Sequence, residues 1–296
     1  MAENILVIGG SGFMGSHTAD ELSNRGFNVT IFDQTKSPWL QSNQKMISGD
    51  IMDTEALSEA MRGVHYVYHY AGIADIEEAQ SQPYHTIETN VMGLTKALDV
   101  AVECNIRQFI YASTMYVYSN HGSFYRASKQ AAEIIIEAYH EKYDFDYSLL
   151  RYGSLYGPRS QEWNGIFRFI SQIIKENRLD YNGSGLEIRE YIHAHDAAKL
   201  SADVLMEDRY RNCAITITGQ QPFRVSDVIS MMFEIAGKEE NVNYHRESNL
   251  PDHYGNTPYR YTPKSAKKIV PTEFVDLGQG LLDLVEEVYQ KINKVD

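Results

Sequence analysis

The 296-residue sequence predicts an α/β fold, a doubly wound parallel sheet with a smaller C-terminal lobe. Three observations predict it. Short apolar runs alternate with helical patterns through the first half, the order of βαβ units and a parallel sheet. A glycine-rich turn joins the first apolar run to the first helical pattern. After Arg151 the alternation weakens, and Gly157-Pro158 marks a turn.

The elements follow in order. Residues 4–9 (NILVIG) are a continuous apolar run ending in glycine, the mark of a buried strand. Spaced apolar residues over 16–25, closed by Gly26, predict a helix. Residues 28–33 (NVTIFD) and 45–48 are the next two strands, and 54–61 a helix. Residues 65–70 (HYVYHY) form a fourth strand, and 83–104 a long helix opened by Pro83. Residues 108–113 (QFIYAS) give a fifth strand, 125–143 another long helix and 146–152 a sixth strand. Beyond these, helices are expected over 165–177, 196–206, 225–236 and 278–292, with short strands at 188–192 and 214–218. The division expected is a nucleotide-binding domain over 1–153, to which 196–206 returns, with 154–195 and 207–296 forming mainly a substrate lobe.

Composition narrows the function. Hydrophobic residues make up 43% and charged residues 23%, with 8 Pro, which is globular usage and argues against disorder. No apolar run reaches the roughly 18 residues of a membrane span, and the N-terminus lacks the pattern of a secretory signal. Cys104 and Cys213 are the only cysteines, so a disulfide framework and a thiolate zinc site are excluded, and a cytoplasmic location is expected. A net charge of −13 repels nucleic acid and anionic lipid, so neither is an expected partner.

Gly9-Gly10-Ser11-Gly12-Phe13-Met14-Gly15 places three glycines at intervals of three between a strand and a helix. A diphosphate needs bare backbone N–H groups at a helix N-terminus, which side chains would block. A glycine triplet alone also fits a tight structural turn; the strand–turn–helix context favours a Rossmann-type dinucleotide site. Asp33 ends the second strand, 18 residues after Gly15. A carboxylate there accepts ribose hydroxyls and repels a 2′-phosphate, so NAD is favoured over NADP, with Lys36 the one nearby cation. Tyr125 and Lys129 stand four apart at the start of a helix and share a face. A neighbouring ammonium favours phenolate, which lets the tyrosine exchange a proton with a hydroxyl. Alone, that spacing is common and would describe a solvated helix face.

With these motifs in place the chain resembles the extended short-chain dehydrogenases/reductases, specifically the nucleotide-sugar epimerase/dehydratase group. The likeness runs from about residue 4 to residue 198, with a weaker tail. Gly49-Asp50-Ile51 resembles the segment whose Asp and following backbone touch adenine, and His69-Tyr70-Ala71-Gly72 the segment lining the cofactor after the fourth strand. Asn90-Val91-Met92-Gly93 resembles a helix whose Asn supports the site, and Ser113-Thr114-Met115-Tyr116 a strand end that supplies a Ser/Thr. Arg151-Tyr152-Gly153-Ser154 and Arg189-Glu190-Tyr191-Ile192-His193 resemble two later signatures.

The resemblance implies catalytic roles for Tyr125 as general acid/base, for Lys129 on the nicotinamide ribose and for Thr114 on the reacting hydroxyl. It implies NAD contacts from Gly9, Gly12, Phe13, Met14, Gly15, Asp33, Asp50, Ile51, Tyr70, Ala71, Gly72, Asn90, Ser113 and Tyr152 as well as Tyr125 and Lys129. It implies that Thr114, Ser154 and Arg189 touch the substrate, Arg189 through bidentate contact with a phosphate. His193 and His195 fit structural or rim roles, and no metal site is expected. It further implies a homodimer through the helices over 83–104 and 125–143; Ile134, Ile135 and Ile136 are consecutive and cannot all face one sheet.

Three departures sharpen the expectation. Met115-Tyr116 replaces the Asp-Glu of the group's 4,6-dehydratases, so water elimination is disfavoured. Ser154 replaces an Asn, and Ala74 a Lys, that contact the substrate diphosphate in some epimerases. Residues 119–124 form a shorter loop than the group carries, so the site is expected to be more open. The expected function is NAD-dependent hydride transfer at a ring carbon, most often C4, of a nucleotide-linked sugar, with epimerisation as the outcome. The alternatives are a nucleotide-sugar dehydrogenase or ketoreductase, a reductase of a non-sugar carbonyl, or a redox-sensing binding protein without chemistry.

Overall fold

A computed structural model describes residues 3–245 and Pro258; the helix expected over 278–292 lies outside the described residues. Seven parallel strands form one sheet in the order Cys213–Ile217, Asp146–Tyr152, Gln108–Thr114, Tyr66–His69, Asn4–Ile8, Asn28–Asp33 and Lys45–Ser48. The chain is therefore α/β with a parallel sheet, as the alternation predicts.

Both faces of the sheet are covered, and the strands sort their side chains with period 2. Leu6, Ile8, Val67, Phe109 and Leu149 face one layer, packed against Leu57, Leu94, Leu98, Ala132 and Ile136 of the helices on that side. Ile5, Val7, Val29, Ile31, Ile110 and Leu150 face the other, packed against Met14, Leu22, Ala197 and Ala202. That second layer pairs helix Phe13–Asn24 with helix Ala194–Asp203.

The first helix begins at Phe13, directly after the glycine turn. The expected helix over 83–104 is three segments: Pro83–Ile87, a π-turn at Glu88–Gly93 and Leu94–Glu103. A short helix, Ile76–Ser81, precedes them, with the Asp75 side chain accepting from Glu77 N–H at its N-terminus. Periodicity does not announce a π-turn, because one extra residue only shifts the phase of the apolar stripe.

A smaller cluster gathers Ile173, Leu179, Val225, Ile229 and Phe233. Two short sheets accompany it. Pro222–Arg224, Ile188–His193 and Ser154–Tyr156 make one, and Val242–Tyr244 pairs with Leu179–Tyr181 in the other. Among the described residues no helix is long and apolar enough to cross a membrane.

Candidate active site

A cleft of about 1020 Å³ opens at the carboxyl ends of the sheet strands and continues to the smaller cluster. Ligands bind at this end of open parallel sheets because the strand-to-helix turns there aim helix N-termini inward.

The glycine turn forms one wall. Gly9 N–H donates to the Phe32 carbonyl at 2.8 Å, which fixes the turn on the second strand. Gly9 has φ +78, and a Cβ there would come within 2.8 Å of Ala71 Cα. A Cβ on Gly15 would strike the Gly9 carbonyl oxygen. Gly12 caps helix Phe13–Asn24, and the first turn carries no acidic residue. The helix N-terminus is thus bare, uncharged and aimed into the cleft, a donor set that fits a dinucleotide diphosphate.

Asp33 stands beside it. Its carboxylate accepts from Ser11 N–H and from Thr35 N–H, each at 3.0 Å, so the acidic group is held to the glycine turn. Ile51, Tyr70, Ala71 and Gly72 line the same half of the cleft. Two expected contact residues do not reach its surface. Asp50 accepts from Met52 N–H at 2.8 Å and shapes the turn that presents Ile51. Asn90, 2% exposed, sits in the π-turn behind the wall. Its Oδ1 accepts from Ile73 N–H at 2.7 Å, and its Nδ2 donates to the Ile73 carbonyl and to Ser128 Oγ, both at 2.9 Å. Asn90 therefore ties the loop after the fourth strand to helix Ser123–Tyr143.

The three residues expected to carry the chemistry lie across the floor. Tyr125 and Lys129 face the cleft from the first turns of helix Ser123–Tyr143. The Lys129 ammonium lies 5.9 Å from the Tyr125 ring centroid and donates to the Ala112 carbonyl at 2.7 Å. Burial pulls Lys129 down to about 8, opposed by the negative charge of Glu133. Ser113 and Thr114 enter the cleft at the end of strand Gln108–Thr114, and Thr114 Oγ1 accepts from Tyr116 N–H at 3.3 Å. The strand-end backbone thus places Thr114 next to the helix bearing Tyr125. The Tyr116 ring packs edge-on against Tyr125 at 6.2 Å, whereas Met115 is fully buried.

Tyr70 and Tyr152 close the floor. Their hydroxyls lie 2.9 Å apart, with Thr18 Oγ1 2.8 Å from Tyr70 and Ser201 Oγ 2.7 Å from Tyr152. Burial raises Tyr70 and pushes Tyr152 well above the usual phenol value, so both stay neutral hydrogen-bonding groups. Ser154 and Arg189 line the far half together with Arg168 and Tyr191. His193 and His195 lie outside the cleft lining; His193 Nδ1 accepts from His195 N–H at 3.3 Å and caps helix Ala194–Asp203. Among the described residues no cluster of His, Cys, Asp or Glu is placed to hold a metal ion.

Two groups beneath the site have no role assigned from the sequence. His69 is fully buried beside Phe109, Tyr111 and Lys129, and neither ring nitrogen has a hydrogen-bond partner among the described residues. Burial, reinforced by the Lys129 charge, pulls it down to about 3. Glu133 accepts from Ser113 Oγ at 2.5 Å and from Arg151 Nε and Nη2 at 2.9 and 2.6 Å. The signal for Glu133 was its place one helical turn after Lys129; nothing local in the sequence pairs it with Arg151.

The sequence model described as the NAD dependent epimerase/dehydratase family matches residues 5–213. A UDP-glucuronate 4-epimerase of Thermodesulfobacterium geofontis is 25% identical over 272 residues, 81% of this chain and 84% of that one. A dTDP-glucose 4,6-dehydratase of Streptomyces antibioticus is 27% identical over 219 residues, 65% of each chain. Among solved structures, the UDP-glucuronic acid 4-epimerase of Bacillus cereus, in complex with UDP-glucuronic acid and NAD, superposes with a TM-score of 0.78 at 25% identity. That likeness covers 89% of this chain and 95% of that one.

Proposed function

The chain belongs to the NAD-dependent epimerase/dehydratase family, and from that premise we propose that it inverts C4 of a nucleotide-linked sugar, with Tyr125 moving the hydroxyl proton. One observation carries this reading. Tyr125, Lys129 and Thr114 open into the same cleft as the bare helix N-terminus at Gly12 and the Asp33 carboxylate. NAD, when bound, supplies the hydride acceptor and donor.

The chain's own residues do the rest. The N–H groups after Gly12 bind the cofactor diphosphate, and Asp33 takes the adenosine ribose hydroxyls. Thr114 Oγ1 orients the C4 hydroxyl. Tyr125 takes the hydroxyl proton as the carbon becomes a ketone and returns it when hydride comes back to the other face. Lys129 holds the nicotinamide ribose and favours the Tyr125 phenolate. Arg189 pairs with a substrate phosphate, and Ser154 contacts the substrate beside it.

Dehydration is the second outcome known among the relatives. We favour inversion because Met115 is buried and Tyr116 presents an aromatic edge where elimination needs an acid and a base. We further take residues 1–153 and 196–206 as the NAD-binding part, the protein as cytoplasmic and the assembly as a homodimer. The dimer reading is supported by Ile134, 66% exposed beside fully buried Ile136, and by Met92, 51% exposed in the π-turn Glu88–Gly93.

The test is incubation with UDP-, GDP-, CDP- and dTDP-hexoses in turn, with products read by proton NMR and binding by thermal shift. Inversion at C4 of one of them is expected. A 4-keto-6-deoxy product would reassign the chain as a dehydratase, and an oxidised sugar with no inversion as a dehydrogenase.

A further inference from the structure

We propose that Glu133 is a positioning residue of this site: its buried carboxylate ties the helix of Tyr125 and Lys129 to the strand ends of Thr114 and Tyr152, and is the counter-charge to the Lys129 ammonium. The inference rests on the function proposed above and adds a residue that the cleft lining does not contain.

Glu133 is 2% exposed and Ser113 3%, while Arg151 is 8% exposed. Both carboxylate oxygens are used. Oε1 accepts from Ser113 Oγ and Arg151 Nε, and Oε2 accepts from Arg151 Nη2. Arg151 Nη1 donates to the Tyr118 hydroxyl at 2.5 Å. Tyr118 ends the 3-10 turn Met115–Tyr118 that starts at Thr114. One carboxylate thereby fixes four pieces of chain. They are the helix itself, the strand end before Thr114, the turn after Thr114 and the strand end before Tyr152. A geometry needed to within a fraction of an ångström at Thr114 and Tyr125 depends on such a tie.

The charge balance is equally specific. Glu133 lies four residues after Lys129, on the same helix face. The groups facing Lys129 are His69 and Tyr111 from two strands and Tyr125 and Glu133 from its own helix, with Arg151 behind Glu133. His69 and Tyr111 are neutral, since burial holds one low and the other well above the usual phenol value. Glu133 is thus the one anion among them. Without it only the Ala112 carbonyl and the Tyr111 ring face oppose the burial that favours a neutral lysine, and a neutral lysine cannot favour the Tyr125 phenolate.

The test is the titration of Lys129 itself, followed by NMR on protein carrying 13C-labelled lysine, with the resonance assigned by its loss in Lys129→Met. Glu133→Gln alone leaves Arg151 buried without a counter-charge and is a poor folder. The informative variant is Glu133→Gln combined with Arg151→Met, in which the amide still accepts from Ser113 and Lys129 alone loses its counter-charge. Relative to wild type, Lys129 should titrate at least about one pH unit lower. In the double variant the fall of single-turnover hydride transfer with rising pH should set in at least about one pH unit below its onset in wild type. A folded double variant in which Lys129 titrates as in wild type overturns the proposal. Should wild type transfer hydride from no nucleotide sugar, the function reading fails, and the lysine titration still decides the role of Glu133.

Discussion

Replacing Asn90 with alanine tests whether the π-turn holds the cofactor wall. The side chain is 2% exposed and makes three hydrogen bonds, two with the Ile73 backbone and one with Ser128 Oγ. Asn90→Ala leaves the Ile73 N–H buried without an acceptor, which costs about 1–3 kcal/mol. The two lost donor contacts add about 0.5–1.5 kcal/mol each, for a total of about 2–6 kcal/mol. Urea unfolding followed by circular dichroism reads this directly. At a slope of about 3 kcal/mol per molar, the midpoint should fall by about 0.7–2 M. The same variant frees the loop that carries Ala71 and Gly72 into the cleft, so NAD must order it on binding. Every 1.4 kcal/mol of that ordering costs about tenfold in affinity by calorimetry. A midpoint within about 0.2 M of wild type, with unchanged NAD affinity, would refute the tie between Asn90 and the loop.

Four other outcomes are expected. Tyr125→Phe should slow hydride transfer by about 10²–10⁴-fold while NAD occupancy stays at the wild-type level; near-normal transfer would mean that another group moves the proton. Calorimetry should show NAD binding much tighter than NADP, with Asp33→Ser narrowing the gap; equal affinities for the wild type would remove the basis for assigning Asp33 to the ribose. Gly15→Ala should abolish NAD retention, because its methyl meets the backbone oxygen of Gly9 rather than a side chain that can turn away. His69 is held neutral down to about pH 3 in the folded state against an ordinary value of 6.5, so the unfolded state binds the extra proton between those limits. Stability is therefore lost as pH falls below 6.5, by about 1.4 kcal/mol per pH unit from this group, and His69→Phe should flatten that acid limb of the denaturation curve.

The sheet was legible because its strands carry their own signal. Asn4–Ile8 and Gln108–Thr114 lie where the apolar runs place them, since a strand buried on both faces is apolar through most of its length. The cleft residues were legible for a different reason. The bare glycines and the Tyr–Lys pair stand at short sequence spacing, and they line the cleft. Strands such as Ser154–Tyr156, Leu179–Tyr181 and Pro222–Arg224 were not visible. Each has three residues, and each exists through a partner far away in sequence. Glu133 and Arg151 were hidden likewise, because a buried ion pair between a helix and a strand leaves no local spacing to read. The ties of Asn90 to Ile73 and Ser128 were hidden too, since both partners are distant in sequence.

The strand order also bears on how the chain leaves the ribosome. The outer strand Lys45–Ser48 is short and half-exposed, a blunt edge that discourages pairing between molecules. The opposite edge is completed by Cys213–Ile217, which pairs with Asp146–Tyr152 across sixty intervening residues. Six of the seven residues in Asp146–Tyr152 are buried. Until residue 217 has emerged, that strand is a seven-residue edge with unpaired backbone on one side. At about 5–20 residues per second, the interval from residue 152 to residue 217 lasts several seconds. A nascent chain paused there, or a fragment ending before Cys213, presents the surface most prone to join another copy edge to edge, and holding it apart falls to chaperones rather than to the fold.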